Sequence, residues 1–236
     1  MFVRLSGVDH IGGDFPQGQV FMVADGVGGR EGGSLASAVA VETMAAQVLG
    51  TLPWMSLTDE HAEVSDAVEA AMHATQARLR SEARRQDVDP RLGTTLTVAW
   101  VVWPSLLLAH VGDSRAYLCR GDELDRLTRD HTVAQALLDA GGELDPRLVE
   151  AKWGHVLDNV LGGSSDDLQV DLQRLELEQG DRLLLCTDGL TAYLDDDELR
   201  WWLLRRGALD EIATRMAETA YERGGHDDIT VVLAQF

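Results

Sequence analysis

Four aspartates set in turns between apolar runs constrain this chain more than any other feature. Asp25 stands in Val23-Ala24-Asp25-Gly26-Val27-Gly28-Gly29, and Asp113 in His110-Val111-Gly112-Asp113-Ser114-Arg115. Asp188 stands in Thr187-Asp188-Gly189, and Asp227 in Gly224-Gly225-His226-Asp227-Asp228-Ile229-Thr230. Each adjoins glycine or a second acid at the end or start of a segment that reads as a buried strand. A single Asp-Gly pair is an ordinary turn. As a set they point to a cation, because aspartate is almost never buried unpaired and converging carboxylates repel unless neutralised. Magnesium and manganese take oxygen ligands and keep several waters, so a few carboxylates and one backbone carbonyl, here that of Gly26, suffice.

The apolar pattern around these turns predicts a mixed chain. Residues 19–24 form a short apolar run that ends at Asp25 and reads as a strand. Residues 33–49 and 60–84 carry apolar side chains at helical spacing and predict two amphipathic helices. Residues 94–102, 106–111 and 115–119 are successive β-rich runs with short breaks, which predicts an antiparallel meander. From 121 to 155 the pattern loosens around a helix at 133–139 and a Gly141-Gly142 stop, so this stretch is the candidate lid. Residues 168–177, 182–186 and 229–233 predict further strands, bracketing helices at 196–205 and 209–222. With no internal repeat or low-complexity linker, residues 1–236 are expected to fold as one unit.

Composition narrows the partners. The chain has 236 residues, 45% of them apolar, enough for a full core. Its formal charge of −20, from 40 acids against 20 bases, disfavours nucleic acid and anionic membrane and suits cations. Cys119 and Cys186 lie in apolar strand-like contexts without metal-ligand spacing, so neither a zinc site nor a disulfide is expected, and a reducing cytoplasm fits. The N-terminal residues show no signal-peptide pattern. The stretch 96–111 is broken by Pro104-Ser105 and falls short of the roughly 20 apolar residues a membrane helix needs.

Six blocks now carry a family resemblance. They are the Asp25 block with Ala36-Ser37 behind it, Gly93-Thr94-Thr95-Leu96, His110 to Tyr117, Leu127-Thr128-Arg129-Asp130-His131, Thr187-Asp188-Gly189-Leu190, and Asp227-Asp228-Ile229-Thr230. In this order the chain resembles the metal-dependent serine/threonine protein phosphatases of type 2C, specifically their compact bacterial branch. The resemblance implies an α+β fold, an α-β-β-α sandwich of two antiparallel sheets flanked by helix pairs, with a dinuclear Mn2+ or Mg2+ site at one end. It implies that Asp25 bridges two ions, that Asp188 and Asp227 complete the first ion's shell, and that Gly26 binds the second through its carbonyl. Asp113 matches a position that helps hold a third, weaker ion. The implied substrates are phosphorylated proteins, in opposition to a bacterial serine/threonine kinase.

Two metals about 3.5–4 Å apart can acidify a bridging water and neutralise phosphoryl oxygens in an in-line displacement. Neither cysteine is needed for this. His110, His131, His155 and His226 lie near the blocks as candidate general acids, although a histidine beside a strand is more often structural. The departures from the family pattern lie upstream. Family members carry an arginine shortly before an acidic pair; here Asp14 is the candidate metal ligand, Gly13 replaces its acidic neighbour, and no arginine stands in the clamp position. Arg4, Arg30 and Arg115 are candidate substitutes, and Asp9 and His10 candidate extra ligands. Gly12-Gly13-Asp14-Phe15 also resembles the cyclic-dinucleotide synthase signature, but lacks its further acid and βα surroundings. The phosphatases of anti-sigma-factor antagonists share the fold and remain a variant. Two readings stay open: an active phosphatase, and a catalytically weak relative that binds phosphoproteins as a regulatory module.

Overall fold

The computed structural model describes residues 3–6, 18–28, 30–51, 61–86, 92–141, 145–163, 165, 167–225 and 227–236. In chain order these form β1 (Val3–Ser6), β2 (Gly18–Val23), β3 (Gly26–Val27), α1 (Arg30–Thr51), α2 (His61–Gln86), β4 (Gly93–Thr94), β5 (Leu96–Val102) and β6 (Ser105–Val111). There follow β7 (Arg115–Arg120), β8 (Glu123–Arg126), α3 (Val133–Asp139), α4 (Pro146–Trp153), β9 (Leu161–Gly162), β10 (Asp171–Glu176) and β11 (Arg182–Cys186). The chain closes with α5 (Asp188–Thr191), α6 (Asp196–Leu203), α7 (Leu209–Glu222) and β12 (Val231–Gln235).

The strands pair antiparallel into one sheet of order β1-β2-β5-β6-β10 and another of order β12-β11-β7-β8, with a small β3-β4-β9 sheet beside them. Successive side chains on a strand point to opposite faces, and that period of two sorts the core into three layers. Val20 and Met22 of β2, Val98 and Trp100 of β5 and Leu107 of β6 face Met44 and Val48 of α1 and Val68 and Met72 of α2. Their neighbours Phe21, Val23, Ala99, Val101, Leu106 and Leu108 turn the other way, onto Ala116, Leu118, Leu183, Leu185 and Val232 of the second sheet. Tyr117, Leu184 and Cys186, from the outer face of that sheet, pack on Leu199 and Leu203 of α6 and Ile212 and Met216 of α7. The layering is therefore helices, sheet, sheet, helices. Each fully buried leucine in these layers contributes about 1.5–3 kcal/mol.

One predicted pairing is corrected. The runs at 94–102 and 106–111 do pair, as β5 with β6, but the run at 115–119 leaves the meander and becomes β7 of the second sheet, between β11 and β8. The crossing is made at Gly112, whose φ of +110° favours glycine and where a Cβ would lie 2.5 Å from Thr95 Cγ2. The stretch expected as a lid also divides. Residues 123–126 are strand β8, whereas residues 132–157 make an excursion through α3 and α4, closed at its base by a Thr132–Leu157 bridge and a Val133 N to Val156 O bond of 2.8 Å. Strand β8 and helix α4 escaped prediction, because their short, mixed patterns match neither a period of two nor one of 3.6.

Candidate metal centre

Chain direction gathers the four aspartates. In the first sheet β2 and β6 both run antiparallel to β5 between them, so Asp25 after β2 and the Asp113 turn after β6 leave from the same end. In the second sheet β11 and β12 are antiparallel, so Asp188 after β11 and Asp227 before β12 also share an end. Antiparallel pairing thus turns four distant sequence positions into one edge of the sandwich.

Hydroxyls pin these turns in pairs. The Asp25 amide donates to Thr95 Oγ1 at 2.9 Å, while Thr95 N and Thr94 Oγ1 both donate to the Asp25 carbonyl at 2.8 Å. Thr95 Oγ1 also bonds Ser114 Oγ at 2.7 Å, joining the Asp25 turn to the residue after Asp113. In the other sheet Thr187 Oγ1 donates to the Asp228 carbonyl and accepts from Thr230 N, both at 2.9 Å, which ties the Asp188 turn to the Asp227 turn. Beside Asp25, Gly26 packs against α1 so closely that a Cβ there would lie 1.9 Å from the Gly33 carbonyl oxygen. Thr95, Ser114 and Thr187 lie inside the quoted blocks, but nothing in sequence spacing shows that their hydroxyls are the fastenings.

The electrostatics of the cluster are those of acids short of positive charge. Burial first, then the charges of Asp188 and Asp227, a hydrogen bond with Asp188 and the charge of Asp113 push Asp25 up to about 8. Asp113, 8% exposed, is pushed to about 7 by burial and by Asp188 and Asp130, with partial relief from Arg115. Asp188 is raised by burial and by Asp227, against the opposing influence of Asp25 and Arg115. Among the described residues its buried Oδ1 has no hydrogen-bond partner. An unsatisfied buried carboxylate oxygen beside three further acids fits a cation and little else. Among the described residues no three acid, histidine or cysteine side chains already close on a single point as a ready-made shell. Asp14, the fifth candidate ligand, lies outside the described residues, as do Asp9, His10 and His226.

Other candidates prove committed elsewhere. Arg115 donates from Nε to both Asp130 carboxylate oxygens at 3.1 Å and from Nη2 to Oδ2 at 2.6 Å, while Nη1 reaches the Tyr117 hydroxyl at 3.4 Å. Arg126 bonds the same Asp130. A guanidinium so engaged is a poor phosphate clamp, so the expectation for Arg115 is corrected. The side chains of Arg4 and Arg30 are outside the described residues. His110 is buried between Thr97 Oγ1 (2.9 Å) and the Arg129 carbonyl (3.1 Å), and burial, helped by His131, lowers it to about 4. It is a neutral structural histidine. His131 is likewise fully bonded, and His155 is exposed.

A sandwich of two antiparallel sheets that presents carboxylates from both at one end is the scaffold of a divalent-cation enzyme. The chain belongs to the Protein phosphatase 2C family, whose sequence model matches residues 8–234. Protein phosphatase PhpP of Streptococcus pneumoniae is 32% identical over 218 residues, covering 91% of this chain and 84% of that protein. A serine/threonine phosphatase of S. agalactiae superposes with a TM-score of 0.81 at 25% identity, covering 99% of this chain and 98% of that one. The catalytic domain of the serine/threonine protein phosphatase PstP, solved with 2 manganese ions, superposes with a TM-score of 0.75 at 29% identity, covering 100% and 97%.

Proposed function

We propose that this chain hydrolyses phosphoserine and phosphothreonine esters of proteins with the help of two Mn2+ or Mg2+ ions. The observation that carries the reading is Asp25, half-buried beside Asp188, Asp227 and Asp113 and raised by all three, next to an Asp188 oxygen without a partner among the described residues. Asp25, Asp188 and Asp227 would hold the ions together with the Gly26 carbonyl and Asp14, with Asp113 as ligand of a third. Bound there, such ions supply an acidified water and neutralise the phosphoryl oxygens. The chain's own part is to fix its carboxylates before substrate arrives. Antiparallel pairing sets their common edge, and Thr95 and Thr187 lock the turns.

A thiolate route is unsuited to this molecule. Burial pushes the Cys186 thiol up to about 12 and raises Cys119 as well, and both pack in the layer beneath α6 and α7. The α3–α4 excursion is the part proposed to act as lid, residues 1–236 are proposed as one catalytic unit working in the cytoplasm, and the natural counterpart is a bacterial serine/threonine kinase. No helix among the described residues is long and apolar enough to cross a membrane.

The engagement of Arg115 with Asp130 favours a second reading, in which the site binds phosphoproteins but turns them over poorly. Hydrolysis of para-nitrophenyl phosphate and of a phosphothreonine peptide, with and without Mn2+, separates the two. The first reading expects Mn2+-stimulated turnover that chelation and Asp25→Ala each abolish. A wild-type protein that binds the peptide without Mn2+-stimulated turnover establishes the second.

A further inference from the structure

The imidazole of His131 joins four pieces of chain that no sequence pattern connects. Its Nδ1 accepts from the Gly112 amide at 3.2 Å and from Asn159 Nδ2 at 2.8 Å, while Nε2 meets Asp171 Oδ2 of β10 at 3.1 Å. Two donors on Nδ1 and a carboxylate on Nε2 fix the tautomer, with the proton on Nε2. The backbone repeats the link, since His131 N donates to the Gly112 carbonyl at 2.8 Å and Asp158 N donates to the His131 carbonyl at 2.9 Å. Asn159 is held in turn by the Gln169 carbonyl at 2.7 Å. His131 therefore stands where the Gly112-Asp113 turn, the two feet of the α3–α4 excursion and the edge strand β10 meet. Its side chain is 10% exposed.

We propose that His131 is a positioning residue: through its Nδ1 it fixes the Gly112 amide, and with it the aim of the Asp113 carboxylate, to the base of the α3–α4 excursion. Of the four turn aspartates Asp113 is the nearest in sequence to this clasp; its turn is also tied to Thr95 through Ser114, while Asp25 is fastened at Thr95 and the Asp188 and Asp227 turns at Thr187. Loss of the clasp loosens Asp113 and the feet of the excursion together and leaves Asp25, Asp188 and Asp227 in place. The part of the proposal that concerns cations rests on the phosphatase reading; the part that concerns the turn does not.

Two substitutions divide the imidazole into its halves. His131→Asn keeps an acceptor at the Nδ1 position, and His131→Gln keeps a donor near the Nε2 position. Hydrogen–deuterium exchange on the cation-free protein is expected to show faster exchange in peptides covering 112–114 and 156–159 for His131→Gln, and near-wild-type protection for His131→Asn. Calorimetric titration with Mn2+ is expected to weaken the loosest class of sites by about tenfold in His131→Gln, the usual scale for an outer-shell contact, with the tighter sites unchanged. Equal exchange at 112–114 in wild type and both variants overturns the proposal, and so does a uniform weakening of every Mn2+ site. A wild type that binds no Mn2+ defeats the phosphatase reading, while the exchange result still decides the role of His131.

Discussion

Asp181 and Asp25 are both aspartates at strand ends, yet the fold treats them oppositely. Asp181 is 2% exposed and is gripped by Arg120, whose Nε and Nη2 reach its two oxygens at 3.0 and 2.7 Å, and by the Glu178 amide at 2.8 Å. Burial works against ionisation there, but the guanidinium and the amide outweigh it and hold the carboxyl below its ordinary range. Among the described residues Asp25 has no such grip. Burial and three neighbouring acids push it up to about 8. One acid is compensated within the chain and serves the fold; the other awaits charge from outside and costs stability until it arrives.

The sharpest way to break this contrast is to delete each acid. Asp25→Ala is expected to lower Mn2+-dependent turnover by at least about a thousandfold, some 4 kcal/mol of transition-state stabilisation. The same variant should melt slightly higher than wild type when both are cation-free, because repulsion has been relieved. Asp181→Ala should do the reverse, costing about 2 kcal/mol in urea denaturation through the unpaired Glu178 amide and the released Arg120, with Mn2+ affinity unchanged. If both variants alter stability in the same direction, the distinction between the two acids fails.

Titration sharpens it further. An acid raised from 3.8 to about 8 keeps its proton in the fold where the unfolded chain has lost it, so Asp25 makes the cation-free protein less stable as pH climbs through that interval. A cation must displace that proton, and Mn2+ affinity should rise with pH by about tenfold per unit until it levels off above the raised value. Asp181 has the opposite sign: its contribution is present above 3.8 and is lost as pH falls through its depressed value. Calorimetry in buffers of different ionisation enthalpy counts the released proton, and a pH-independent Mn2+ affinity contradicts the assignment. The smallest expected effect belongs to the fastening between the turns. Thr187→Val removes a hydroxyl with two partners and should lower stability by about 1 kcal/mol, with Thr187→Ser restoring it in the same denaturation assay.

Strand and helix identity was largely legible in the sequence because it rests on local periodicity. Residues 182–186, 133–139 and 209–222 were bounded correctly, whereas β2, β5 and β11 read as continuous apolar runs, so which side chains meet which layer became visible only in the packed sheets. The four turn aspartates were also local features, each announced by glycine or a second acid at the end or start of an apolar run. What periodicity cannot carry is the direction of the chain after a turn. The left-handed backbone at Gly112 sent residues 115–120 into the second sheet rather than the meander, and only that crossing joined the Asp113 turn to Thr95 through Ser114. The pairing of Arg115 with Asp130 and the clasp at His131 are products of the same long-range packing. By itself the sequence determined that this chain would carry carboxylates in rigid turns. Tertiary structure alone decided which carboxylates receive an arginine and which stay in charge deficit, since that depends on burial and on distances of a few ångströms between residues far apart in sequence.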